Sequence, residues 1–226
     1  MVLIKLGEEI YTYVLTYRFR HDFFRASPDE RDSLLASVNS CFNEWSRKLI
    51  NLRMYRSIRY DCDIIFWLSS HDPSDIAGFR ESLNYAFSGM ADPAYSMFSL
   101  YEHSPYMKGG RKLEDTLRFQ PKKYFVAYPM SKTPDWYLID YEERKRILAE
   151  HIGMASSHPE NQDIRSYTTY SYGLGDQEFV VLYETDSLLQ WSHVTAKLRE
   201  AAARKWIIKE EPIFIGLLSE PFFMQK

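Results

Sequence analysis

The chain has 226 residues, of which 45% are apolar and 16% aromatic, enough to bury a core in one large domain or two small ones. The formal net charge is -3 and no basic run occurs, which argues against a nucleic-acid partner. Cys41 and Cys62 are too few for a disulfide framework or a four-ligand zinc site, and they fit a reducing compartment.

The sequence carries no recognisable export or membrane segment. The stretch MVLIKLGEEIY has one early lysine but lacks the long apolar core and the small-residue cleavage site of a signal peptide. No apolar run approaches the roughly 18 residues that a membrane-spanning helix requires. We therefore expect a cytoplasmic protein without a membrane span.

The first half of the sequence alternates between strand and helix patterns. A strand rich in tyrosine and valine begins near Glu9. A helix follows from a capping box, in which Ser27 caps, Pro28 takes the first helical position and Glu30 reaches back. Further strands are predicted at 54–60, 62–70 and 95–103, and a second helix at 75–87. The predicted order is β-α-β-β-α-β.

The second half repeats this order of elements. A strand from Lys122 to Met130 precedes a second capping box, with Asp140 as the cap and Glu143 as its reciprocal partner. The remaining strands are predicted at 164–172, 177–185 and 213–220, and the last helix at 187–206.

This repeat predicts the fold class. The order β-α-β-β-α-β is that of the split βαβ, ferredoxin-like unit, in which two helices cover one face of a four-stranded antiparallel sheet. Two such sheets can bury their uncovered faces against each other. We therefore predict an α+β protein of the dimeric α+β barrel type, with two ferredoxin-like halves packed sheet to sheet. The glycine- and charge-rich segment 107–121 separates them, which gives domains at 1–115 and 116–226.

A histidine interrupts the apolar face of the first helix in the second half. The members of this face, spaced i, i+3, i+4 and i+7, are Arg144, Ile147, Leu148 and His151. Alignment of the two capping boxes places His151 opposite Val38. The imidazole is either a core or helix-end residue, for which a helix C-terminus contributes about 0.3–1 kcal/mol, or a single ligand to iron, as in haem proteins.

The stretch YPMSK, from Tyr128 to Lys132, ends the strand before this helix. The proline favours a strand-end turn with a surface lysine. The alternative is a functional pair, an oxidisable phenol at the mouth of a pocket and an amine near an anionic group. Gly173 and Gly175 form a GxG motif without the following helix of a dinucleotide fold, so we interpret them as part of a hairpin turn.

Several motifs of the second half resemble a known family. YPMSK, followed by WYLIDYEERKRILAEH and YSYGLGDQEFVVLYET, is similar to the chlorite dismutase-like family, which includes coproheme decarboxylases. The resemblance is strongest from about Lys122 to Pro221, and in the first half it rests on SLYEHSPY and the helix at Ser27. The family's fold, two ferredoxin-like halves packed through their sheets, agrees with the repeat. The resemblance also implies a homopentamer and a bound haem b or iron coproporphyrin III.

The resemblance implies roles for individual residues. His151 matches the proximal ligand of the haem iron. Tyr128 matches the phenol that becomes a radical in the decarboxylases, and Lys132 matches the amine that holds a propionate near that phenol. Further porphyrin contacts that the resemblance implies are Met130, Arg199 and, more loosely, Arg118.

The residue over the open face of the iron distinguishes activities within the family. Chlorite dismutases place an arginine there, and decarboxylases often have a glutamine or a small residue. Counting back from Gly173 gives Ser166, with Arg165 one residue earlier, and adjacent side chains on a strand face opposite sides. We favour Ser166 and keep Arg165 as the alternative. For the carboxylate that holds the proximal histidine in chlorite dismutases, counting gives Ala203, and Glu200 lies one helical turn away.

The implied activity is the peroxide-dependent oxidative decarboxylation of iron coproporphyrin III to haem b. The expected partners are therefore this porphyrin and hydrogen peroxide. Two alternatives stay open. A chlorite dismutase would require Arg165 to face the iron, and a haem-binding or purely structural member of the fold class would keep His151 in the core.

Overall fold

The computed structural model describes residues 9–104 and 112–219, and the strands in these ranges form one antiparallel sheet. The residues of the N-terminal stretch before 9, the glycine pair of the predicted boundary and the chain after 219 lie outside the described ranges. The strands are β1 Ile10–Phe19, β2 Asn51–Ser57, β3 Ile64–Ser70, β4 Ala91–Tyr101, β5 Tyr124–Lys132, β6 Arg165–Tyr170, β7 Phe179–Thr185, β8 Ile207–Lys209 and β9 Phe214–Leu218.

Two long helices accompany the strands of the first half, and two others those of the second half. The α-helices are α1 His21–Arg25, α2 Pro28–Trp45, α3 Pro73–Phe87, α4 Leu113–Leu117, α5 Asp135–Leu138, α6 Tyr141–Ser157 and α7 Leu188–Leu198. Short 3-10 helices occur at Pro159–Asn161 and Ala202–Trp206. Within the described ranges, no helix combines the length and apolar character needed to cross a membrane.

The sheet closes into a barrel. The strand order is β7-β6-β4-β1-β3-β2-β9-β5-β8, and β7 also pairs with β5. Eight strands therefore form a closed ring, and the short strand β8 pairs with the end of β5. The first half contributes β4-β1-β3-β2 and the second contributes β9-β5-β7-β6, which is the same order within each half. The halves join where Leu100 pairs with Tyr170 and where Tyr55 pairs with Leu218. The predicted α+β class is confirmed.

The barrel interior and the outer face of the first half are both filled with apolar side chains. Inside the barrel, Phe125 of the second half stacks on Tyr55 and Trp67 of the first, with ring centroids 4.7 and 5.1 Å apart. Outside, α2 and α3 cover the first sheet, and Val38 of α2 is 2% exposed in this second core. Aromatic contact between the halves adds to the stability that burial of this area provides.

A buried ion pair also links the two halves. Arg53 of β2 and Glu184 of β7 lie 2.5 Å apart, and their side chains are 5% and 0% exposed. The other amine of Arg53 donates to the carbonyl oxygens of Leu117 and Phe119, both at 2.7 Å. Tyr167 donates its hydroxyl to Glu184 at 2.9 Å. The network therefore ties β2 to β6, to β7 and to the connection between the halves.

Of the two predicted capping boxes, the one at the start of α2 is complete and the one at the start of α6 is only partly formed. At α2 the capping box is confirmed, because Ser27 accepts from the Glu30 amide and the Glu30 carboxylate accepts from the Ser27 amide. At α6, Asp140 caps the Glu142 amide at 2.8 Å, but the predicted reciprocal partner is wrong. The Glu143 carboxylate accepts from Arg146 instead, at 2.6 Å.

Some predicted boundaries are also wrong. The strand expected at 54–60 occupies Asn51–Ser57, and the strand of the YPMSK stretch continues through its proline to Lys132. The helix expected over 187–206 ends at Leu198, and β8 follows a 3-10 turn.

Candidate functional site

A large cavity lies between the sheet and the helices of the second half. It has a volume of about 1360 Å³ and is lined on one side by β5, β6 and β7 and on the other by α6 and α7. In the first half, apolar side chains of α2, α3 and the sheet fill the equivalent space. Beneath α6 the described core is small, with Trp136, Ile147 and Ala203 as its buried members. The second half thus has a cavity where the first half has a core.

His151 lines this cavity from α6. Its Nδ1 atom is buried and has no hydrogen-bond partner among the residues that the structure describes. Burial lowers the pKa of the imidazole, and the charge of Lys132 lowers it further. A neutral imidazole with a free nitrogen is the form that binds a metal ion. The core interpretation finds no support, because Val38 packs in a core whereas His151 borders a cavity.

In chlorite dismutases a carboxylate holds the proximal histidine, and the sequence suggests positions 203 and 200 for it. Neither position places a carboxylate beside His151. Ala203 is buried against Trp136 and Ile147 and carries no carboxylate. Glu200 is an acceptor for the Lys197 ammonium at 2.6 Å, out in solvent. Neither position therefore supplies a hydrogen-bond acceptor to His151.

Tyr128 lines the cavity from β5, next to Tyr183 of β7. The two rings are stacked with centroids 6.1 Å apart. Burial raises the pKa of Tyr128 well above its ordinary value, and the neighbouring Tyr183 raises it further. The Tyr128 phenol therefore keeps its O–H proton throughout the physiological pH range.

Lys132, the last residue of β5, is buried rather than a surface lysine of a turn. Its side chain packs over Trp136, with Nζ 3.2 Å from the ring centroid. Burial lowers the pKa of the amine to about 8, against the opposing effect of Glu178 and with a further lowering by Arg144. Glu178 also accepts from the Lys132 backbone amide at 2.7 Å. Lys132 is thus a buried amine at the cavity wall, with the Glu178 carboxylate and the Arg144 guanidinium group nearby.

The strand β6 distinguishes Ser166 from Arg165. Ser166 lines the cavity, with Thr168 and Tyr170 at the alternate positions that follow. Arg165 is on the other face, where it donates to the Gln120 carbonyl oxygen at 2.6 Å and lies 3.6 Å from Glu184. The prediction that Arg165 contacts the ligand is therefore wrong, because the pleat of the strand turns its side chain away from the cavity.

The remaining predicted contacts divide in the same way. Met130 and Arg199 line the cavity, and Arg199 donates to Glu210 at 2.7 Å. Arg118 does not line it, because its exposed side chain forms an ion pair with Glu114 at 2.6 Å, within one turn of α4. The prediction of Arg118 as a propionate contact is therefore corrected.

Sequence reasoning missed several polar residues of the cavity wall. They are Arg144, Glu178, Tyr183, Arg204 and Glu210. Arg144 already stood on the helical face of His151, and strand alternation from Phe179 would have placed Tyr183 on the cavity side. Arg204 and Glu210 gave no such signal, because neither the 3-10 turn that carries Arg204 nor the short strand that precedes Glu210 was predicted.

The wall has the chemistry of a site for a flat apolar ligand with acidic groups and a metal. Three of its residues carry a buried polar atom without a partner among the described residues, namely Nε of Arg144, Nδ1 of His151 and Oγ1 of Thr195. Unpaired buried polar groups are costly unless a ligand satisfies them. Between them the wall is apolar, with side chains such as Leu148, Val181, Val194 and Leu198. These residues fit an iron porphyrin with carboxylate substituents.

Comparison with known proteins identifies relatives of the chain. The family model for chlorite dismutase matches residues 31–219 of the chain. The coproheme decarboxylase of Mycolicibacterium smegmatis is 29% identical over 170 residues, which cover 70% of this chain and 68% of that protein.

Solved structures share the fold. A candidate chlorite dismutase of known crystal structure is 50% identical in sequence to this chain and superposes with a TM-score of 0.89. The match covers 94% of this chain and 96% of that one. A substituted chlorite dismutase from Candidatus Nitrospira defluvii is 20% identical, with a TM-score of 0.83, and covers 97% and 94%. A heme-binding protein from Thermus thermophilus is 16% identical, with a TM-score of 0.82, and covers 94% and 92%. Because the family model matches most of its length, the chain belongs to the chlorite dismutase family.

Proposed function

We propose that the cavity binds iron coproporphyrin III and that the protein decarboxylates it to haem b with hydrogen peroxide as the oxidant. The observation that carries this proposal is the common placement of Tyr128, Lys132 and His151 on the wall of one cavity. The name of the Mycolicibacterium relative supports the choice of substrate.

Each of these residues has a distinct role in the proposal. His151 offers a neutral imidazole to the iron. Lys132 offers an ammonium group to one propionate carboxylate, and the low dielectric of its site strengthens that contact. Tyr128 lies in the same wall, with a protonated phenol that gives up an electron and a proton and then takes a hydrogen atom from the propionate β-carbon. Ser166, a small residue on β6, leaves room for peroxide.

When bound, the iron porphyrin would supply both the redox centre and the substrate. Each step converts one propionate to a vinyl group and carbon dioxide, a loss of two electrons. One hydrogen peroxide accepts these two electrons, the proton released from the propionate β-carbon and a second proton from the solvent. It becomes two water molecules. Two such steps give haem b.

Chlorite cleavage is not retained as a second candidate function. That activity would need the arginine at position 165 beside the iron, and the contacts of Arg165 with Gln120 and Glu184 lie on the far side of β6. A small hydroxyl side chain, Ser166, occupies the cavity side instead.

Two structural features are part of the same proposal. We infer that the strand order β4-β1-β3-β2, repeated as β9-β5-β7-β6, reflects two ferredoxin-like halves divided near residue 115. Assembly into a homopentamer and a cytoplasmic location remain predictions from the sequence.

Replacing His151 with alanine tests the proposed iron ligand. The protein should shift the Soret band of ferric coproporphyrin III, and His151→Ala should lose this shift and bind at least about tenfold more weakly, equivalent to about 1.4 kcal/mol. Exogenous imidazole should restore the shift. The readouts are absorption titration and electron paramagnetic resonance of the iron.

A surface histidine provides the control for that experiment. His193, on α7, is exposed and paired with Glu160, so His193→Ala should leave the Soret shift unchanged. A wild-type spectrum from the His151→Ala protein would refute the assignment of the ligand.

A further inference from the structure

The basic residues of the cavity wall are not equally paired. Arg199 and Arg204 both donate to the carboxylate of Glu210. Lys132 and Arg144 form no ion pair with any residue in the described ranges. Glu178 lies near Lys132 without forming an ion pair with it, so neither cation has the direct carboxylate contact that Arg199 and Arg204 have.

Arg144 has the most incomplete surroundings of the four. Its side chain lines the cavity, and its Nε atom is buried without a hydrogen-bond acceptor among the residues that the structure describes. A guanidinium group carries five N–H donors in a fixed plane, and leaving a buried one such as Nε–H without an acceptor is costly. A planar anion in the cavity would accept from Nε–H and a neighbouring N–H in a bidentate contact.

The two unpaired cations act on each other. Arg144 is near enough to Lys132 to lower the pKa of the lysine, while Glu178 raises it. Two like charges at a partly buried wall repel each other, and Glu178 offsets this repulsion at Lys132 without pairing with Arg144. An arriving carboxylate would relieve this repulsion and pair with both cations.

The position of Arg144 on its helix sets where this anion would lie. Arg144 and His151 share one face of α6 and are separated by seven residues, about 10 Å along the helix axis. Arg144 thus lies about two helical turns from the histidine, and Lys132, near enough to Arg144 to feel its charge, packs over Trp136. An acidic substituent of a ligand centred on His151 could reach these two cations.

We propose that Arg144 is a second carboxylate anchor, which together with Lys132 binds one acidic side chain of the porphyrin and orients it. This inference rests on the proposed function and adds to it a residue that selects porphyrins with a carboxylate at this position. Arg144 supplies the directional fork and Lys132 the point charge.

Binding measurements on the metal-loaded ligand, without turnover, test this proposal. The probes are ferric coproporphyrin III and its neutral tetraamide, and the readout is quenching of tryptophan fluorescence. Arg144→Gln should weaken the binding of the tetracarboxylate by about tenfold to a hundredfold, the usual effect of losing a charge-assisted hydrogen bond. The affinity for the tetraamide should not change.

Arg146 offers a matched control on the same helix. Its exposed side chain pairs with Glu143, so Arg146→Gln removes the same charge without touching the cavity. This variant should bind both probes as the wild type does. Arg144→Lys keeps the positive charge but loses the planar fork, so its affinity for the tetracarboxylate should fall less than that of Arg144→Gln. If circular dichroism shows that Arg144→Gln misfolds, Arg144→Lys takes its place in the comparison.

The outcomes separate this inference from the proposed function. Wild-type affinity of Arg144→Gln for the tetracarboxylate, or an equal loss for both probes, would overturn the anchor, since an equal loss indicates packing rather than carboxylate recognition. Failure of the wild-type protein to bind ferric coproporphyrin III would overturn the proposed function and the anchor with it.

Discussion

Tyr128→Phe should abolish decarboxylation while the porphyrin still binds. We expect turnover to fall by roughly a thousandfold or more, equivalent to about 4 kcal/mol of transition-state stabilisation. The phenylalanine ring can keep its packing on Tyr183, but it has no O–H bond and cannot transfer a hydrogen atom. Because the pKa of Tyr128 is raised, the wild-type phenol keeps this hydrogen at every pH of a practical assay.

The measurement for this variant separates binding from chemistry. Absorption titration with ferric coproporphyrin III gives the affinity, and mass spectrometry of the porphyrin after peroxide addition gives the turnover. Tyr85→Phe serves as the control, because Tyr85 is an exposed tyrosine on α3, far from the cavity wall. Undiminished loss of carbon dioxide from the Tyr128→Phe protein would exclude a phenol radical at this position.

Arg53→Met should destabilise the fold by about 3–5 kcal/mol, the usual cost of breaking a buried ion pair. The substitution leaves the Glu184 carboxylate in a site that is 0% exposed, where the Tyr167 hydroxyl donates to it and its remaining counter-charge, Arg165, is 3.6 Å away. It also removes the donor that holds Leu117 and Phe119 of the connection. Denaturant unfolding, followed by tryptophan fluorescence, measures the free energy of unfolding.

Two further variants test the electrostatic cause. Arg56 lies on the same strand with its side chain exposed, so Arg56→Met should change the free energy of unfolding by less than about 0.5 kcal/mol. The double variant Arg53→Met with Glu184→Leu should recover part of the loss, because the buried carboxylate that has lost its closest cation is then absent. If the double variant is less stable than Arg53→Met alone, this buried carboxylate is not the cause.

The order of elements could be predicted from the sequence because it depends on local patterns. Strand alternation, the capping box at Ser27 and the internal repeat all act within a few residues of chain. The end of the last helix at Leu198 and the short strand β8 were not predictable in this way. That strand forms only because Ile207 and Lys209 pair with the end of β5, a contact between residues far apart in sequence.

The site could be predicted in part for a similar reason. His151 and Tyr128 belong to motifs with a recognisable spacing, and the structure brings them to one cavity. Arg118 was misplaced because spacing along the chain does not reveal that Glu114, one turn earlier, already pairs with it. Arg165 and Ser166 differ by a single residue, and strand register alone decides which of them faces the cavity.

The comparison of the two halves explains the histidine on the apolar face. Val38 occupies the corresponding helical position and packs into a core. At His151 the helix stands off from the sheet, and the cavity takes the place of that core. The two halves thus share the packing of the fold, and in the second half a cavity takes the place of the helix–sheet core.

The most direct test of the account is a stepwise titration of the wild-type complex with peroxide. The metal-free protein is mixed with ferric coproporphyrin III, peroxide is added in portions, and the porphyrin is weighed by mass spectrometry. We expect the successive loss of two carboxyl groups, with formation of haem b. A porphyrin that stays unchanged or is destroyed without decarboxylation, despite a clear Soret shift on binding, would contradict it.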